Sequence, residues 1–323
     1  MRPARLQPGD MIRVVAPARS LSIIGSDVRS VADERFAALG VRVSFGKNVE
    51  RIDEFDSSPI ASRVADLHDA FADPDVKAIM TVIGGHNSNQ LLPYLDWDLI
   101  ASNPKIMCGY SDITALTCAI QAHTGLVTYS GPHYSTFGMR DHFEQTLRWF
   151  SAVMFSDTEL DVVPARTWSD DAWHANQDLR TLRPADGPWI LNPGTATGDL
   201  IGGNLCTLNL LQGTPHMPRL TGKILFIEDD YLTFPENFDR QLESLLQQPD
   251  LADIAALLIG RFQDRSGMTR DRLALIIATK PALQNVLVVA NLDFGHTDPM
   301  LTLPVGGHAT VTATGQAFSL SIR

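Results

Sequence analysis

A serine stands where a short apolar stretch gives way to a helix-like pattern, and a hydroxyl at such a point can act as a nucleophile. Ile106–Cys108 is apolar, Gly109 follows it, and apolar residues recur at helical spacing after Ser111. This change of period predicts that Ser111 lies on the turn between a buried strand and a helix. The first N–H groups of a helix lack intrahelical partners and suit a developing oxyanion. The pattern is therefore typical of a nucleophile elbow.

A structural interpretation of the same turn stays open. Ile113 stands where the Gly-x-Ser-x-Gly form of an elbow has its second glycine. Ser111 or Asp112 can also cap the helix, because a side-chain oxygen there accepts a hydrogen bond from one of the free N–H groups. Serine is common at helix caps, so these residues by themselves do not decide between catalysis and capping.

Two further residues with suitable chemistry stand in the second half of the chain. Glu228 follows the apolar residues 224–227, so its carboxylate is expected at a strand end in partial burial, where a partner must stabilise it. His296 lies in a loop after the apolar residues 286–290, where an imidazole can move protons near neutral pH. An ion-pairing carboxylate and a structural histidine are the alternatives. The hypothesis is a catalytic triad in which Ser111 is the nucleophile, His296 is the base and Glu228 is the carboxylate that orients the imidazole.

The elements that must position these residues alternate between strand and helix in the first half of the chain. The predicted strands are 11–16, 41–45, 76–83, 106–108 and 126–129, and the predicted helices are 26–39, 58–71, from 87, after 111, and 141–155. This alternation favours a doubly wound parallel sheet. Ligands bind such sheets at the carboxyl ends of the strands, where Gly84, Gly85 and Ser111 are expected.

The composition changes after residue 160. Residues 161–188 are rich in Pro, Asp, Arg and Trp without a sustained period, which predicts a linker and surface loop. Trp168 and Trp173 within this loop either pack it against a domain or offer a flat surface to a ligand ring.

The chain from residue 189 carries more β-structure signals. Its predicted elements are strands at 223–227, 254–259 and 286–290, helices at 204–213 and 235–247, tight turns at Gly194, Gly198, Gly202 and Gly203, and a C-terminal hairpin about Thr314-Gly315-Gln316.

The predicted fold class is therefore α/β, with two domains joined by the loop. An N-terminal doubly wound parallel-sheet domain covers residues 1–160, the linker and substrate loop covers 161–188, and a β-richer C-terminal α/β domain covers 189–323. Because Ser111 falls in the first predicted domain and Glu228 and His296 fall in the second, the active site is expected at the junction of the two domains.

Composition excludes several classes of function. The 323 residues carry a net charge of −11 and a sequence pI of about 5.2 without a basic segment, so neither a nucleic acid polymer nor a membrane is an expected partner. We find no signal-peptide pattern and no apolar stretch of the roughly 18–20 residues that span a membrane. The cysteines stand in apolar surroundings, which favours a reduced, cytoplasmic protein. Metal-ligand spacings and nucleotide-loop motifs are missing, so no metal or cofactor is expected.

Six segments, in this order along the chain, resemble the serine LD-carboxypeptidase family and within it the microcin C self-immunity branch. They are Leu-Gln-Pro-Gly-Asp-Met-Ile-Arg-Val-Val-Ala-Pro at 6–17, Gly-Gly at 84–85, Gly-Tyr-Ser-Asp-Ile-Thr at 109–114, Gly-Gly-Asn-Leu at 202–205, Ile-Leu-Phe-Ile-Glu-Asp at 224–229 and Gly-His-Thr-Asp-Pro-Met at 295–300. The resemblance implies a metal-free two-domain hydrolase, commonly a homodimer, with a Ser111, His296 and Glu228 triad at the domain junction. It also implies that the backbone N–H groups of Gly85 and Asp112 bind the oxyanion.

The branch implies a small-molecule substrate. Its members hydrolyse the bond between an amino acid and a modified nucleotide, an activity of antibiotic resistance. Trp173, or else Trp168, is expected to stack on the nucleobase, and Asn204 is expected to contact the substrate. The family at large instead removes a terminal D-residue from murein tetrapeptides, and a peptide substrate is the alternative. A non-catalytic nucleotide- or peptide-binding protein is an alternative of another class.

Overall fold

The computed structural model describes residues 1–251, 253–315 and 317–323. The helices are α1 (Ser26–Ala38), α2 (Ile60–Ala72), α3 (Trp97–Ser102), α4 (Thr114–Thr124), α5 (Glu144–Phe155), α6 (Leu205–Asn209), α7 (Pro235–Leu246) and α8 (Arg270–Ala278). The strands are β1 (Met11–Val15), β2 (Arg42–Phe45), β3 (Val76–Thr81), β4 (Ile106–Cys108), β5 (Thr128–Ser130), β6 (Leu160–Asp161), β7 (Thr167–Trp168), β8 (Arg183–Pro184), β9 (Trp189–Asn192), β10 (Gly194–Asn204), β11 (Ile224–Glu228), β12 (Ala256–Gly260), β13 (Leu287–Leu292), β14 (Leu303–Val305), β15 (His308–Thr314) and β16 (Ala317–Ile322).

The first sheet is doubly wound, as predicted. Its strand order is β14–β5–β4–β3–β1–β2, and β1 to β5 run parallel. Phe36 of α1 and Phe150 of α5 share a buried core cluster with Val14, whereas Phe71 of α2 belongs to the cluster that contains Val15. Successive strand residues point to opposite faces, so helices cover both faces of this sheet.

The second sheet is the β-richer one that the sequence predicts. Its order is β6–β16–β15–β10–β11–β12–β13–β9, with β10 to β13 parallel and the other pairings antiparallel. Helix α7 begins with Pro235 and buries Phe238, Leu242 and Leu245, which recur at helical spacing on one face. The C-terminal hairpin is present as β15 and β16, and Gln316 of its predicted turn lies outside the described residues.

The two sheets exchange segments across the predicted boundaries. β14, from the predicted C-terminal domain, pairs antiparallel with β5 in the first sheet. β6, at the start of the predicted linker, pairs with β16 in the second sheet. The sequence analysis did not predict β14 or helix α8. Backbone hydrogen bonds therefore join the two predicted domains. They connect the sheet that contains β4 to the sheet that contains β11.

The predicted glycine turns are wrong, because Gly194, Gly198, Gly202 and Gly203 all lie inside the long strand β10. A Cβ at residue 202 would lie 1.8 Å from the carbonyl oxygen of Phe226, and one at residue 203 would lie 2.4 Å from Thr114 Oγ1. Glycine therefore allows close approach of backbones here rather than a turn.

The predicted helix at 204–213 is also shorter than expected, since α6 ends at Asn209. The next three N–H groups, of residues 210, 211 and 212, each donate to the carbonyl three residues earlier, at 3.1, 3.0 and 3.3 Å. Such bonds belong to turns rather than to an α-helix. Among the described residues, no helix is long and apolar enough to cross a membrane.

Gly202→Ala tests the close approach in β10. At this residue φ is +145°, and the new Cβ would collide with the Phe226 carbonyl. We expect the free energy of unfolding to fall by about 3 kcal/mol or more. Gly213→Ala is the matched control, because φ is +72° and a Cβ there would have no atom within 4 Å. This substitution should lower the free energy of unfolding by only about 1 kcal/mol, for the left-handed backbone. Urea unfolding measures both, and equal losses would contradict the steric explanation.

Candidate active site

Ser111 lies on a strained turn directly after β4. Its φ is +60°, a left-handed conformation that costs a residue with a side chain about 1–2 kcal/mol and that concentrates at functional sites. A 3₁₀ turn (Ser111–Ile113) follows and leads into α4. Gly109 precedes the turn, and a Cβ there would lie 2.3 Å from Thr81 Oγ1. The turn therefore exposes the hydroxyl at the carboxyl edge of the first sheet.

Asp112 is buried and ties this turn to the loop after β3. Its Oδ2 accepts hydrogen bonds from the N–H groups of Asn87, at 3.1 Å, and Ser88, at 2.9 Å. Ser88 Oγ donates to the Asp112 carbonyl at 2.6 Å. The side chain considered as a helix cap thus holds two loops together, which fixes the backbone beside Ser111.

The structure brings Ser111, His296 and Glu228 together in a chain of hydrogen bonds. His296 Nε2 lies 3.1 Å from Ser111 Oγ, and His296 Nδ1 lies 2.6 Å from Glu228 Oε2. Glu228 ends β11 and is only 3% exposed, whereas His296 lies in the loop after β13. At Gly295, with φ of +100°, a Cβ would lie 2.6 Å from Glu228 Oε2, so only glycine brings this loop so close to the carboxylate.

The buried carboxylate controls the charge of the imidazole. Burial by itself would lower the pKa of His296, but the charge of Glu228 and the hydrogen bond to it raise that pKa to about 9. An ionised carboxylate only accepts hydrogen bonds, so the proton of the neutral imidazole resides on Nδ1. In this neutral form, which is the minor form near pH 7 and the major one above about pH 9, Nε2 presents its lone pair to Ser111 and can take a proton from that hydroxyl.

The loop at Gly84 and Gly85 packs directly against the nucleophile. A Cβ at Gly84 would lie 3.0 Å from Ser111 Cβ and 3.2 Å from Ser111 Oγ. Within the described parts of the chain, the Gly85 N–H donates no hydrogen bond. The Asp112 N–H lies at the start of the 3₁₀ turn, where helical N–H groups lack partners. Free N–H donors are what an oxyanion requires, and the oxyanion roles of Gly85 and Asp112 stay predictions.

A cavity of about 390 Å³ opens beside His296, within the range of small-molecule sites. Tyr110 and Trp173 line it, and Trp173 is half-buried against the core of the first domain. Trp168 lies outside the lining. Its ring contacts two arginines instead, with guanidinium carbons 4.1 and 5.1 Å from the ring centroid. Of the two tryptophans, Trp173 alone is available to a ligand in the cavity.

Asn204 also lies outside the cavity lining, because its side chain serves the fold. Its Oδ1 accepts a hydrogen bond from the Thr207 N–H at 3.0 Å and caps α6. Its Nδ2 donates to Asp229 Oδ1 at 3.1 Å. These contacts hold Asp229 beside Glu228, and the expected substrate contact of Asn204 stays a prediction.

His133, which was not predicted from the sequence, is buried between Thr81 and Tyr110. Its Nδ1 is 2.7 Å from Thr81 Oγ1, and its Nε2 has no partner among the described residues. The Tyr110 ring centroid lies 4.4 Å from that of His133 and 5.1 Å from that of His296. Burial, with the nearby charge of His296, lowers the pKa of His133 to about 3. A single histidine without a periodic pattern leaves no signal in the sequence.

The described residues contain no group of three or more His, Cys, Asp or Glu side chains that could hold a metal ion. Family models for both halves of the chain match instead. The LD-carboxypeptidase N-terminal domain matches residues 12–131, and the LD-carboxypeptidase C-terminal domain matches residues 197–311. The chain belongs to the LD-carboxypeptidase family. The family match covers both parts of the site.

Family members with similar sequences carry several names. "Putative carboxypeptidase YocD" of Bacillus subtilis is 48% identical over 97% of this chain and 96% of its own length. The microcin C7 self-immunity protein MccF of Escherichia coli is 34% identical over 83% of this chain and 80% of its own. The murein tetrapeptide carboxypeptidase of Pseudomonas aeruginosa is 31% identical over 80% of this chain and 78% of its own.

Solved structures of LD-carboxypeptidase relatives share the whole fold. An MccF-like protein from Bacillus anthracis has a TM-score of 0.98 at 49% identity, covering 100% of this chain and 99% of its own. MccF in complex with glutamyl sulfamoyl guanosine has a TM-score of 0.89 at 30% identity, covering 99% and 97%. The two-domain architecture is therefore that of MccF.

Glu228→Gln tests the electrostatics of the site. By NMR titration, the imidazole of His296 should change charge near pH 9 in the wild type and at a lower pH in the variant, which lacks the carboxylate charge. His133, whose pKa is about 3, is the internal control and should stay neutral above pH 5. An unchanged His296 midpoint in the variant would contradict the assignment.

The same pKa predicts how stability depends on pH. Because the folded-state pKa of His296 lies above its ordinary value of 6.5, its stabilising contribution is complete below about pH 6.5 and is lost as the pH rises through about 9. Glu228→Gln should weaken this dependence in urea unfolding between those pH values.

Proposed function

We propose that this LD-carboxypeptidase family member is a serine hydrolase that cleaves the amide-type bond between an amino acid and a modified nucleotide. The observation that carries the proposal is the chain of hydrogen bonds from Glu228 Oε2 to His296 to Ser111 Oγ, at 2.6 and 3.1 Å. The similarity to MccF, which has been solved with glutamyl sulfamoyl guanosine and with aspartyl sulfamoyl adenosine, supports this substrate class.

The proposed reaction has two stages. His296 Nε2 takes the Ser111 proton while Oγ attacks the carbonyl carbon, and the N–H groups of Gly85 and Asp112 stabilise the resulting oxyanion. The imidazolium then donates its proton to the leaving nitrogen as the bond to carbon breaks. Water attacks the acyl-enzyme, His296 accepts the water proton, and that proton returns to Ser111 Oγ as the amino acid leaves. Glu228 orients the ring and stabilises its positive charge throughout.

Murein tetrapeptide hydrolysis is the second candidate, because the Pseudomonas aeruginosa relative bears that name. The same groups would then cut the bond before a terminal D-residue. The two candidates differ only in what occupies the cavity. The homodimer that the family resemblance implies and the cytoplasmic location that the cysteines favour stay predictions.

Ser111→Ala tests the chemistry. Removing the nucleophile should lower turnover by about 10⁴-fold or more while the fold is retained, because the hydroxyl is not part of the core. The assay uses an aminoacyl sulfamoyl adenosine and a murein tetrapeptide, each with wild type and variant. Preferential cleavage of the first by the wild type supports the proposal, and preferential cleavage of the second supports the murein alternative.

An active Ser111→Ala variant would overturn the mechanism. Tight binding of either compound by a wild type that turns over neither, and that resists labelling by a serine-acylating reagent, would identify a binding protein instead.

Trp173→Ala tests the nucleobase contact. Stacking on an aromatic side chain contributes about 1–3 kcal/mol per base, so KM for the aminoacyl nucleotide should rise about 10- to 100-fold with a smaller change in kcat. Trp173→Phe is the matched control and should retain most of the affinity. A similar loss for the tetrapeptide, which has no base, would show that the ring supports the loop rather than the ligand.

A further inference from the structure

Most charged groups around the cavity neutralise one another. The Arg180 guanidinium, whose side chain is 1% exposed, lies 3.3 Å from Asp171 Oδ1 and 3.0 Å from Asp298 Oδ2. Arg183 lies 2.5 Å from Asp170 Oδ1. These three carboxylates line the cavity. Their negative charge is largely neutralised by Arg180 and Arg183, which lie outside the lining.

Among the described residues, two charged side chains of the lining form no ion pair, the carboxylate of Asp230 and the guanidinium of Arg265. Arg265 lines the same cavity as His296 and Trp173, it is exposed, and no described carboxylate lies within 4.0 Å of its guanidinium. Its neighbour Asp264 forms an ion pair with Arg183 instead. Because no described carboxylate pairs with it, Arg265 is a cation with free hydrogen-bond donors on the wall of the cavity that His296 also lines.

The position of Arg265 is set by an aromatic ring. Its guanidinium carbon lies 4.6 Å from the Tyr231 ring centroid, which is the distance of a cation–π contact. The Tyr231 N–H donates to Gln263 Oε1 at 3.0 Å, so the loops after β11 and β12 are joined. Tyr231 follows Glu228 by three residues and therefore lies within about 11 Å of it along the chain. A stacked guanidinium keeps its in-plane N–H donors available for a ligand.

Both substrates of the proposed function carry an anion close to the leaving nitrogen. In an aminoacyl phosphoryl nucleotide a phosphorus group with a charged oxygen is attached to that nitrogen, and in an aminoacyl sulfamoyl nucleotide the ionised acyl sulfamate spreads its charge over the nitrogen and the sulfonyl oxygens. In a tetrapeptide the terminal carboxylate is one carbon away from it. A planar guanidinium can bind either kind of oxyanion through two parallel hydrogen bonds.

We propose that Arg265, held on the Tyr231 ring, binds the anionic group of the leaving portion of the substrate and selects substrates that carry one there. The inference rests on the proposed hydrolytic function and deepens it. Arg265 is a specificity-determining residue in this scheme: the triad breaks the bond, and the guanidinium fixes the leaving group beside His296.

Arg265→Gln tests the selection with charged and uncharged pairs of substrates. One pair is an aminoacyl sulfamoyl adenosine and the corresponding amide of 5′-amino-5′-deoxyadenosine; the other is a tetrapeptide with a free carboxylate and its C-terminal amide. Losing one charge-assisted contact should lower kcat/KM for the charged member about 10- to 100-fold, mainly through KM, and by at least tenfold more than for the uncharged member.

Two variants serve as controls for Arg265→Gln. Arg265→Lys keeps the charge but not the planar fork and should recover part of the preference. Arg270→Gln removes an equally exposed charge at the start of α8, outside the cavity lining, and should keep the wild-type preference. Equal losses on charged and uncharged substrates, or none, would overturn the role of Arg265.

Binding separates this inference from the proposed function. In the Ser111→Ala background, calorimetry compares the affinities for the charged and uncharged members with and without Arg265→Gln. If the variant without Arg265 no longer prefers the charged member, the inference is supported. If the wild type hydrolyses neither compound, only the proposed function is contradicted. If the wild type hydrolyses the charged and uncharged members equally well, only the inference about Arg265 is contradicted.

Discussion

The hydrogen bond between the His296 imidazole and the Ser111 hydroxyl requires the two sheets to hold a fixed position relative to each other. Its two ends belong to loops of different sheets, and at 3.1 Å a displacement of one ångström would break it. The junction is accordingly tied by backbone. β14 crosses into the first sheet, and the Asn204 N–H at the end of β10 donates to Thr114 Oγ1 at the start of α4, at 2.9 Å. A site shared between domains needs such ties.

The loop that closes the cavity depends on a buried charge. Arg180 is removed from water and is stabilised by Asp171, which belongs to the loop, and by Asp298, which follows His296 by two residues. A buried guanidinium without its partners is strongly destabilising, so the pairing of Arg180 with Asp298 holds the loop against the segment that carries His296. The position of Trp173 is therefore coupled to that of His296 through an ion pair that takes no part in the chemistry.

Much of this architecture was predictable, because periodicity reports local conformation. The apolar runs of β1, β3, β11 and β12 and the alternation with helices predicted the parallel sheets, with errors of a few residues at the ends. Ser111 on a strand-to-helix turn, Glu228 at a strand end and His296 in a following loop were each recognisable from their immediate neighbours. Carboxyl ends of parallel strands meet at one edge, which made their convergence a reasonable hypothesis.

What the sequence determined by itself was thus the order of elements, the fold class and the residue types capable of the reaction, since these follow from local pattern and composition. The tertiary structure alone decided that the β10 glycines lie in a strand, because β10 pairs with β11 and β15, which are distant in the sequence. It also decided that Trp168 packs against two arginines, that Arg265 has no carboxylate partner among the described residues and that His133 packs against Tyr110. These are distances between residues far apart in the chain, and only packing sets them.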